Sequence, residues 1–136
     1  MANRSEQEAQ EHADMIKRLA EHFARQGYTE IKADIEGYEL PAAAKTPRGE
    51  FIPDITCFMP GKFRKFLAVE VETCRSIFDP HTVDEWEALG REARIHAGEF
   101  HVAVPRLCGI ETGEELVKKR MSQLGYTYRP HRIWSL

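Results

Sequence analysis

The chain has 136 residues, of which 42% are hydrophobic and 30% are charged, and its formal net charge is −3. This length and composition exclude a disordered or collagen-like chain and a small disulfide scaffold, and they predict one domain over residues 1–136. No apolar run reaches the roughly 18 residues of a membrane span, and the mild acidity excludes a protein that coats nucleic acid by charge alone.

Three segments carry the signals of helix ends. A Ser or Thr three residues before a Glu forms a capping box, and a glycine beyond the last turn accepts a left-handed backbone. These signals predict helices near 6–26, 83–97 and 113–124, which begin at the pairs Ser5–Glu8, Thr82–Glu85 and Thr112–Glu115 and end at Gly27, Gly98 and Gly125.

Strand-like runs fill most of the intervals between these helices. Apolar alternation and continuous apolar runs predict strands at 28–36, 51–58, 63–72, 100–104 and 126–134. The last should be an edge strand because it contains Pro130. The segment 37–49 is predicted to be a mobile loop. The resulting order, α-β-β-β-α-β followed by α-β, indicates an α/β domain.

The cysteines favour a reducing compartment. Cys57, Cys74 and Cys108 are odd in number, widely spaced and without a Cys-x-x-Cys pattern. Such cysteines are typical of unpaired thiols in a cytoplasmic protein. We therefore expect a cytoplasmic chain without disulfides.

The second and third predicted strands contain carboxylates within otherwise apolar sequence. Asp54 follows Pro53 in the one, and Glu70 and Glu72 lie two residues apart in the other. Because alternate residues of a strand share a face, Glu70 and Glu72 project from the same side. Burying unpaired carboxylates costs several kcal/mol, so the pattern indicates a divalent cation such as Mg²⁺, which prefers oxygen ligands.

The register of this hairpin decides whether Asp54 can share that cation. A two-residue turn would place Asp54 opposite Leu67, on the face that does not carry Glu70. A three-residue connection over 60–62 places Asp54 opposite Ala68 instead. Glu70 is then its diagonal neighbour, with Cα atoms roughly 7–8 Å apart. We therefore expect an odd-length connection or a bulge, with Asp54 and Glu70 on one face.

The hairpin resembles the second and third strands of the PD-(D/E)xK nuclease superfamily. The resemblance rests on Pro53-Asp54, fifteen intervening residues and Glu70-x-Glu72, and the order α-β-β-β-α-β resembles the common core of that superfamily. It covers roughly residues 8–104 and is nearest to small Holliday-junction resolvases and restriction-endonuclease-like proteins. It implies a restriction-endonuclease-like core with a central mixed sheet flanked by helices, to which the C-terminal helix and strand are added.

The resemblance also implies a site and a partner. Asp54 and Glu70 would bind Mg²⁺ or Mn²⁺, and Glu11 or Glu8 of the first helix would add an acidic ligand. The substrate would be nucleic acid, DNA in preference to RNA, and the assembly a homodimer.

One position departs from the family pattern. The residue two places after the second acidic position is usually Lys, which orients or activates the attacking water, and here it is Glu72. A carboxylate can bind a second metal or accept a proton, but it cannot stabilise developing phosphate charge as Lys does. Positive charge would then come from a loop, for which the candidates are Lys45, Arg48 and His81. Lys118, Lys119 and Arg120 of the third helix are candidates for contacts with phosphates.

Three functional hypotheses follow. The first is a metal-dependent nuclease in which Asp54, Glu70 and Glu72 are catalytic. The second is a catalytically inactive protein of the same fold that binds nucleic acid or a protein partner, which Glu72 favours. The third is an interaction module without a nucleic-acid role, which the net negative charge favours.

Overall fold

The computed structural model describes residues 4–47, 49–125 and 129–136. Within these ranges the helices are α1 (Glu6–Arg25), α2 (Pro80–Ile95) and α3 (Gly113–Gln123), and a 3₁₀ turn covers Ser76–Phe78. The strands are β1 (Thr29–Ala33), β2 (Ala44–Thr46), β3 (Gly49–Phe51), β4 (Ile55–Phe58), β5 (Phe66–Val71), β6 (Glu99–Val104), β7 (Leu107–Cys108), β8 (Glu111–Thr112) and β9 (Arg132–Ser135).

A mixed five-stranded sheet organises the chain. Its strand order is β1-β4-β5-β6-β9, with antiparallel pairing from β1 to β5 and parallel pairing from β5 to β9. Strand β9 lies at an edge, as predicted, although it begins after Pro130 rather than containing it. The predicted α/β class and mixed central sheet are confirmed. Among the described residues, no helix combines the length and apolar character that crossing a bilayer requires.

Helices cover both faces of this sheet. The apolar stripe of α1 packs on the face that carries Leu67, Val69 and Val71 of β5. Helices α2 and α3 pack on the opposite face, which carries Ala68 of β5 and apolar residues of β6. This arrangement follows from the alternation of side chains along a strand. Each buried strand therefore contributes to two separate apolar layers.

Helices α1 and α3 begin where their caps predict. The Ser5 hydroxyl accepts a hydrogen bond from the Glu8 backbone N–H at 3.1 Å. At α3, the Thr112 side chain accepts from the Glu115 N–H, and the Glu115 side chain accepts from the Thr112 N–H, which completes the capping box.

The predicted start of α2 is wrong. The helix begins three residues earlier, at Pro80, because Asp79 accepts a hydrogen bond from the His81 N–H and a proline suits the first helical position. Thr82 lies in the first turn and donates its hydroxyl to the Ser76 carbonyl oxygen. Glu85 therefore has no capping role, and its carboxylate can take part in contacts away from the start of the helix.

The end of α2 also differs from the prediction. The left-handed residue is Ala97, with φ of 52°, rather than Gly98. Gly98 is required for another reason, because a Cβ at this position would collide with the Phe66 backbone carbonyl of β5. The glycine thus allows close approach of two backbones rather than a left-handed turn.

The β4–β5 hairpin has the predicted parity but a different register. The connection spans residues 59–65, and Ile55 pairs with Val69. Asp54 therefore comes level with Glu70, whereas Ala68 pairs with Thr56. The odd length and the shared face are confirmed, and the pairing of Asp54 with Ala68 is wrong, because the connection is longer than the Pro-Gly signal suggests.

The segment predicted as a mobile loop contains a strand. Strand β2 lies within it and pairs with β3 in a two-stranded hairpin. Ala44 and Phe51 of this hairpin are buried in the core cluster that includes residues of α2, which holds it against the domain. A second short ribbon, β7–β8, was also not predicted. Residues 126–128 of the last predicted strand lie outside the described residues.

The prediction of unpaired thiols is wrong for two of the three cysteines. Cys74 and Cys108 form a disulfide across a sequence separation of 34 residues, and Cys57 is a buried free thiol. Cys74 follows β5, and the β7–β8 ribbon returns Cys108 to the same end of the sheet. The parallel pairing of β5 and β6 creates this proximity, which cysteine spacing alone does not reveal.

Candidate metal centre

Four carboxylates meet where the end of β5 faces the start of α2. Asp54 precedes β4, Glu70 lies in β5, Glu72 follows that strand, and Glu85 lies in the second turn of α2. One side-chain oxygen from each of Glu70, Glu72 and Glu85 lies within 4.8 Å of the others. We call these three residues the carboxylate cluster. Its members are close enough to bind one metal ion.

Glu70 is the least satisfied member of the cluster. Its side chain is 4% exposed, and its Oε1 atom has no hydrogen-bond partner in the described part of the chain. Burial, reinforced by the charges of Asp54 and Glu85, raises the pKa of Glu70 well above its ordinary value. A buried acceptor without a partner is costly, and a cation at this position would remove that cost.

Hydrogen bonds to both carboxylate oxygens fix the orientation of the Glu72 side chain. The Ser76 hydroxyl donates to its Oε1 at 2.6 Å, and the Trp86 indole N–H donates to its Oε2 at 3.0 Å. Burial of the side chain raises the pKa of Glu72 to about 8, against the opposing effect of these two hydrogen bonds. Each carboxylate oxygen keeps a second lone pair for another ligand.

Asp54 is stabilised as an anion beside this cluster. Its Oδ2 accepts the Val71 backbone N–H at 2.7 Å and lies 3.2 Å from the His12 Nε2. The same Nε2 lies 3.0 Å from the Val71 carbonyl oxygen, which can only accept, so the hydrogen is on Nε2. Burial opposes ionisation, but these donors outweigh it and hold the pKa of Asp54 below its ordinary value.

Glu85 is the cluster residue that the sequence did not reveal. Its capping-box spacing from Thr82 assigned it to the helix start, whereas the structure turns it towards Glu70. Partial burial raises the pKa of Glu85. The signal that could have found it is Asp79-Pro80, an N-cap followed by proline, which begins the helix earlier and moves Glu85 into the second turn.

The first helix contributes different residues from the expected one. Glu11 is exposed and is not a member of the cluster. Glu8 accepts hydrogen bonds from the Thr73 hydroxyl at 2.5 Å and from the Arg75 Nε at 2.7 Å, directly after the end of β5. His12, one turn beyond Glu8, contacts Asp54. Its spacing of four residues from Glu8 places both on one face of α1.

The predicted phosphate-binding cations occupy three separate places. Lys45 is exposed on β2 opposite Glu50, and His81 is exposed in the first turn of α2. Arg48 lies outside the described residues. None of the described candidates replaces the missing lysine through a hydrogen bond or ion pair with the cluster.

The α3 cations form contacts at the surface. Lys118 pairs with Glu114 at 3.0 Å, and Lys119 pairs with Glu111 at 3.4 Å. Arg120 donates to the Asp79 carbonyl oxygen, at the N-cap of α2. These contacts belong to the helix surface and to the start of α2 rather than to the carboxylates.

The chemistry of the site rests on its own residues. No protein-family model, curated protein or solved structure matches this chain. The donor set consists of carboxylate oxygens, which hard divalent cations such as Mg²⁺ and Mn²⁺ prefer. The unpartnered Glu70 oxygen and the raised pKa values of the cluster fit a group that gains stability when a cation binds.

Proposed function

We propose that this protein is a metal-dependent nuclease that hydrolyses phosphodiester bonds, with Mg²⁺ or Mn²⁺ held by the carboxylate cluster. The observation that carries the proposal is Glu70, a buried carboxylate beside Glu72 and Glu85 whose Oε1 has no hydrogen-bond partner among the described residues. A divalent cation supplies Lewis acidity for the in-line attack of water on a phosphate. The resemblance of the hairpin to PD-(D/E)xK nucleases favours DNA as the substrate.

The fold supports the same proposal. The order α1-β1-β4-β5-α2-β6, without the β2–β3 hairpin, is consistent with the α-β-β-β-α-β order that the resemblance implies. The carboxylates lie at the end of the central antiparallel pair, where β4 and β5 meet. A homodimer remains a prediction of the resemblance, and light scattering after gel filtration would test it.

The protein's own residues have distinct parts in this proposal. Glu70 and Glu85 bind the cation, and Glu72 is oriented by Ser76 and Trp86 to complete the ligand set. The Oδ2 atom of Asp54 already accepts from two donors. Asp54 therefore contributes negative charge to the site, and its Oδ1 atom is the oxygen that can face the cation. His12 keeps that carboxylate in place.

A cleavage assay with matched variants tests the proposal. The wild-type protein should cleave linear or branched DNA with Mg²⁺ or Mn²⁺ and not with EDTA. Glu70→Gln and Asp54→Asn keep the side-chain shape and remove a charge, so activity should fall by a factor of about 100 or more. Glu21→Gln, which removes an exposed charge from α1, is the control. Equal cleavage by wild type and Glu70→Gln would reveal a contaminant and contradict the proposal.

One observation favours a second candidate function. Glu72 occupies the position of the usual lysine, and none of the described candidate cations contacts the cluster in its place. A protein that binds metal but does not cleave would then recognise nucleic acid or a protein partner through the same fold. Mn²⁺ binding by calorimetry, without cleavage of any DNA or RNA substrate, would support this candidate over the nuclease.

A further inference from the structure

A basic groove lies between α2, α3 and the segment that leads into β9. It consists of two neighbouring cavities of about 610 and 430 Å³, and Arg129 and His131 line both. We call it the α2–α3 groove and define it by its cationic lining residues and one histidine, namely Arg91, Arg94, Lys118, Arg129, His131 and Arg132.

The charge of this groove is opposite to that of the whole chain. Five lining residues are Lys or Arg, and the acidic lining residues are Glu87 and Glu114. Arg91 already pairs with Glu87 at 2.7 Å, and Lys118 with Glu114 at 3.0 Å. By formal charge, the lining residues that the structure describes include three more positive than negative side chains, on a chain of net charge −3. Such a local surplus attracts polyanions in spite of the overall charge.

Gly90 lines the larger of the two cavities. It lies in the middle of α2, where glycine costs about 1 kcal/mol relative to alanine. A Cβ built on Gly90 meets no atom within 4 Å, so the cavity reaches the helix backbone at this point. Cations near the C-terminus of α2 are favourable for the helix itself, but a glycine in its middle is not. The open space above Gly90 is therefore a feature of the cavity.

The groove is separate from the carboxylate cluster. Gly90 follows Glu85 by five residues, which corresponds to a rotation of about 140° around the helix axis. The two residues therefore lie on different flanks of α2. Trp86 is the residue that both regions share, since its N–H binds Glu72 and its side chain lines the larger cavity.

We propose that the α2–α3 groove binds the phosphodiester backbone of a nucleic-acid strand, at a site distinct from the place of cleavage. One phosphate would fill a small part of these cavities, whereas successive phosphates of a strand could meet cations from α2, α3 and β9 in turn. Only the choice of nucleic acid as the ligand rests on the proposed function. The inference holds whether or not the bound strand is cleaved.

Fluorescence anisotropy of a labelled oligonucleotide in EDTA tests this proposal, because metal-dependent cleavage cannot occur there. The combined variant Arg94→Ala with Lys118→Ala should weaken binding about tenfold and lower the salt slope by about 0.7 per lost contact. The matched control is Lys17→Ala with Lys62→Ala, which removes the same charge from exposed positions outside the groove. The control should bind as the wild type does.

A charge-neutral variant separates the cavity from general electrostatics. Gly90→Leu fills the space above the helix, so it should lower the affinity several-fold without loss of thermal stability. An equal loss of affinity in the control would overturn the proposal, as would displacement of the strand by low millimolar inorganic phosphate, which would indicate a pocket for one phosphate.

Glu70→Gln should bind the oligonucleotide as the wild type does. A wild-type protein that binds the oligonucleotide but cleaves no DNA with Mg²⁺ or Mn²⁺ would reject the nuclease and keep the groove.

Discussion

The two flanks of α2 carry opposite charges in different surroundings. On one flank, α2 faces Glu70 and Glu72, two buried carboxylates whose pKa values are raised by burial and by the charges of Asp54 and Glu85. On the other flank, Arg91 and Arg94 are exposed. Burial makes the acidic flank unstable without a counter-ion, whereas the basic flank is stable as it is. The net charge of −3 conceals this division.

The largest expected effect is a loss of stability at high pH in the absence of metal. Burial raises the pKa of Glu72 from its ordinary value of 4.5 to about 8. The native state therefore holds a proton that the unfolded state has released between these values. The unfolding free energy should fall as the pH rises through this window, by of order 5 kcal/mol. Chemical denaturation at several pH values, with EDTA or with Mn²⁺, measures it.

Two variants test whether the effect belongs to the acidic flank. Mn²⁺ should restore the stability at pH 8, because it binds the ionised cluster of the native state only. Glu72→Gln should remove the part of the pH dependence that Glu72 contributes and keep the part due to the raised pKa of Glu70, and Glu114→Gln on the basic flank should leave the pH dependence unchanged. A stability that is level from pH 5 to pH 8 in EDTA would contradict the account of the buried carboxylates.

The disulfide should stabilise one flank more than the other. Cys74 lies two residues after Glu72, and its bond to Cys108 closes a separation of 34 residues. Replacing both cysteines by serine should lower the unfolding free energy by about 3–4 kcal/mol. Calorimetry should also show weaker Mn²⁺ binding, whereas oligonucleotide affinity in EDTA should not change. Equal losses at both sites would mean that the disulfide stabilises the domain as a whole.

The sequence predicted the fold better than it predicted the site. The N-cap of α1, the capping box of α3 and the parity of the β4–β5 hairpin are local signals, and each is confirmed. Thr82–Glu85 imitates such a signal, but Asp79 and Pro80 begin the helix first. The spacing of Glu85 from Thr82 therefore predicted a capping role for a residue that belongs to the carboxylate cluster.

The remaining differences arise from long-range contacts. His12 reaches Asp54 across 42 residues, and Cys74 bonds to a residue 34 positions away. Such contacts form only when the sheet brings distant segments together. The spacing of residues along the chain therefore cannot predict them. The resemblance also placed the acidic residue Glu11 of α1 at the site. In the structure, the residue of α1 that contacts Asp54 is His12 instead.

Trp86 connects the two flanks, so changing it should affect them unequally. Trp86→Phe keeps a ring in the core and removes the N–H that binds Glu72. Losing this donor to the buried Glu72 carboxyl group should cost about 2 kcal/mol and weaken Mn²⁺ binding. Phe100→Leu, a change at a buried ring neighbour without a polar contact, should lower stability and leave Mn²⁺ affinity unchanged. Equal Mn²⁺ affinities in Trp86→Phe and the wild type would remove the link between Trp86 and the cluster.

The smallest effect concerns the glycines of the basic flank. Gly90→Ala should raise the unfolding free energy by about 1 kcal/mol, because alanine is the better helix former and its Cβ meets open space. Gly98→Ala is the matched change at the end of the same cavity and should destabilise the fold, since its Cβ would strike the Phe66 carbonyl. Thermal denaturation distinguishes the two signs. A destabilised Gly90→Ala would mean that the space above the helix is filled, and the groove would then lack the depth that a nucleic-acid backbone needs.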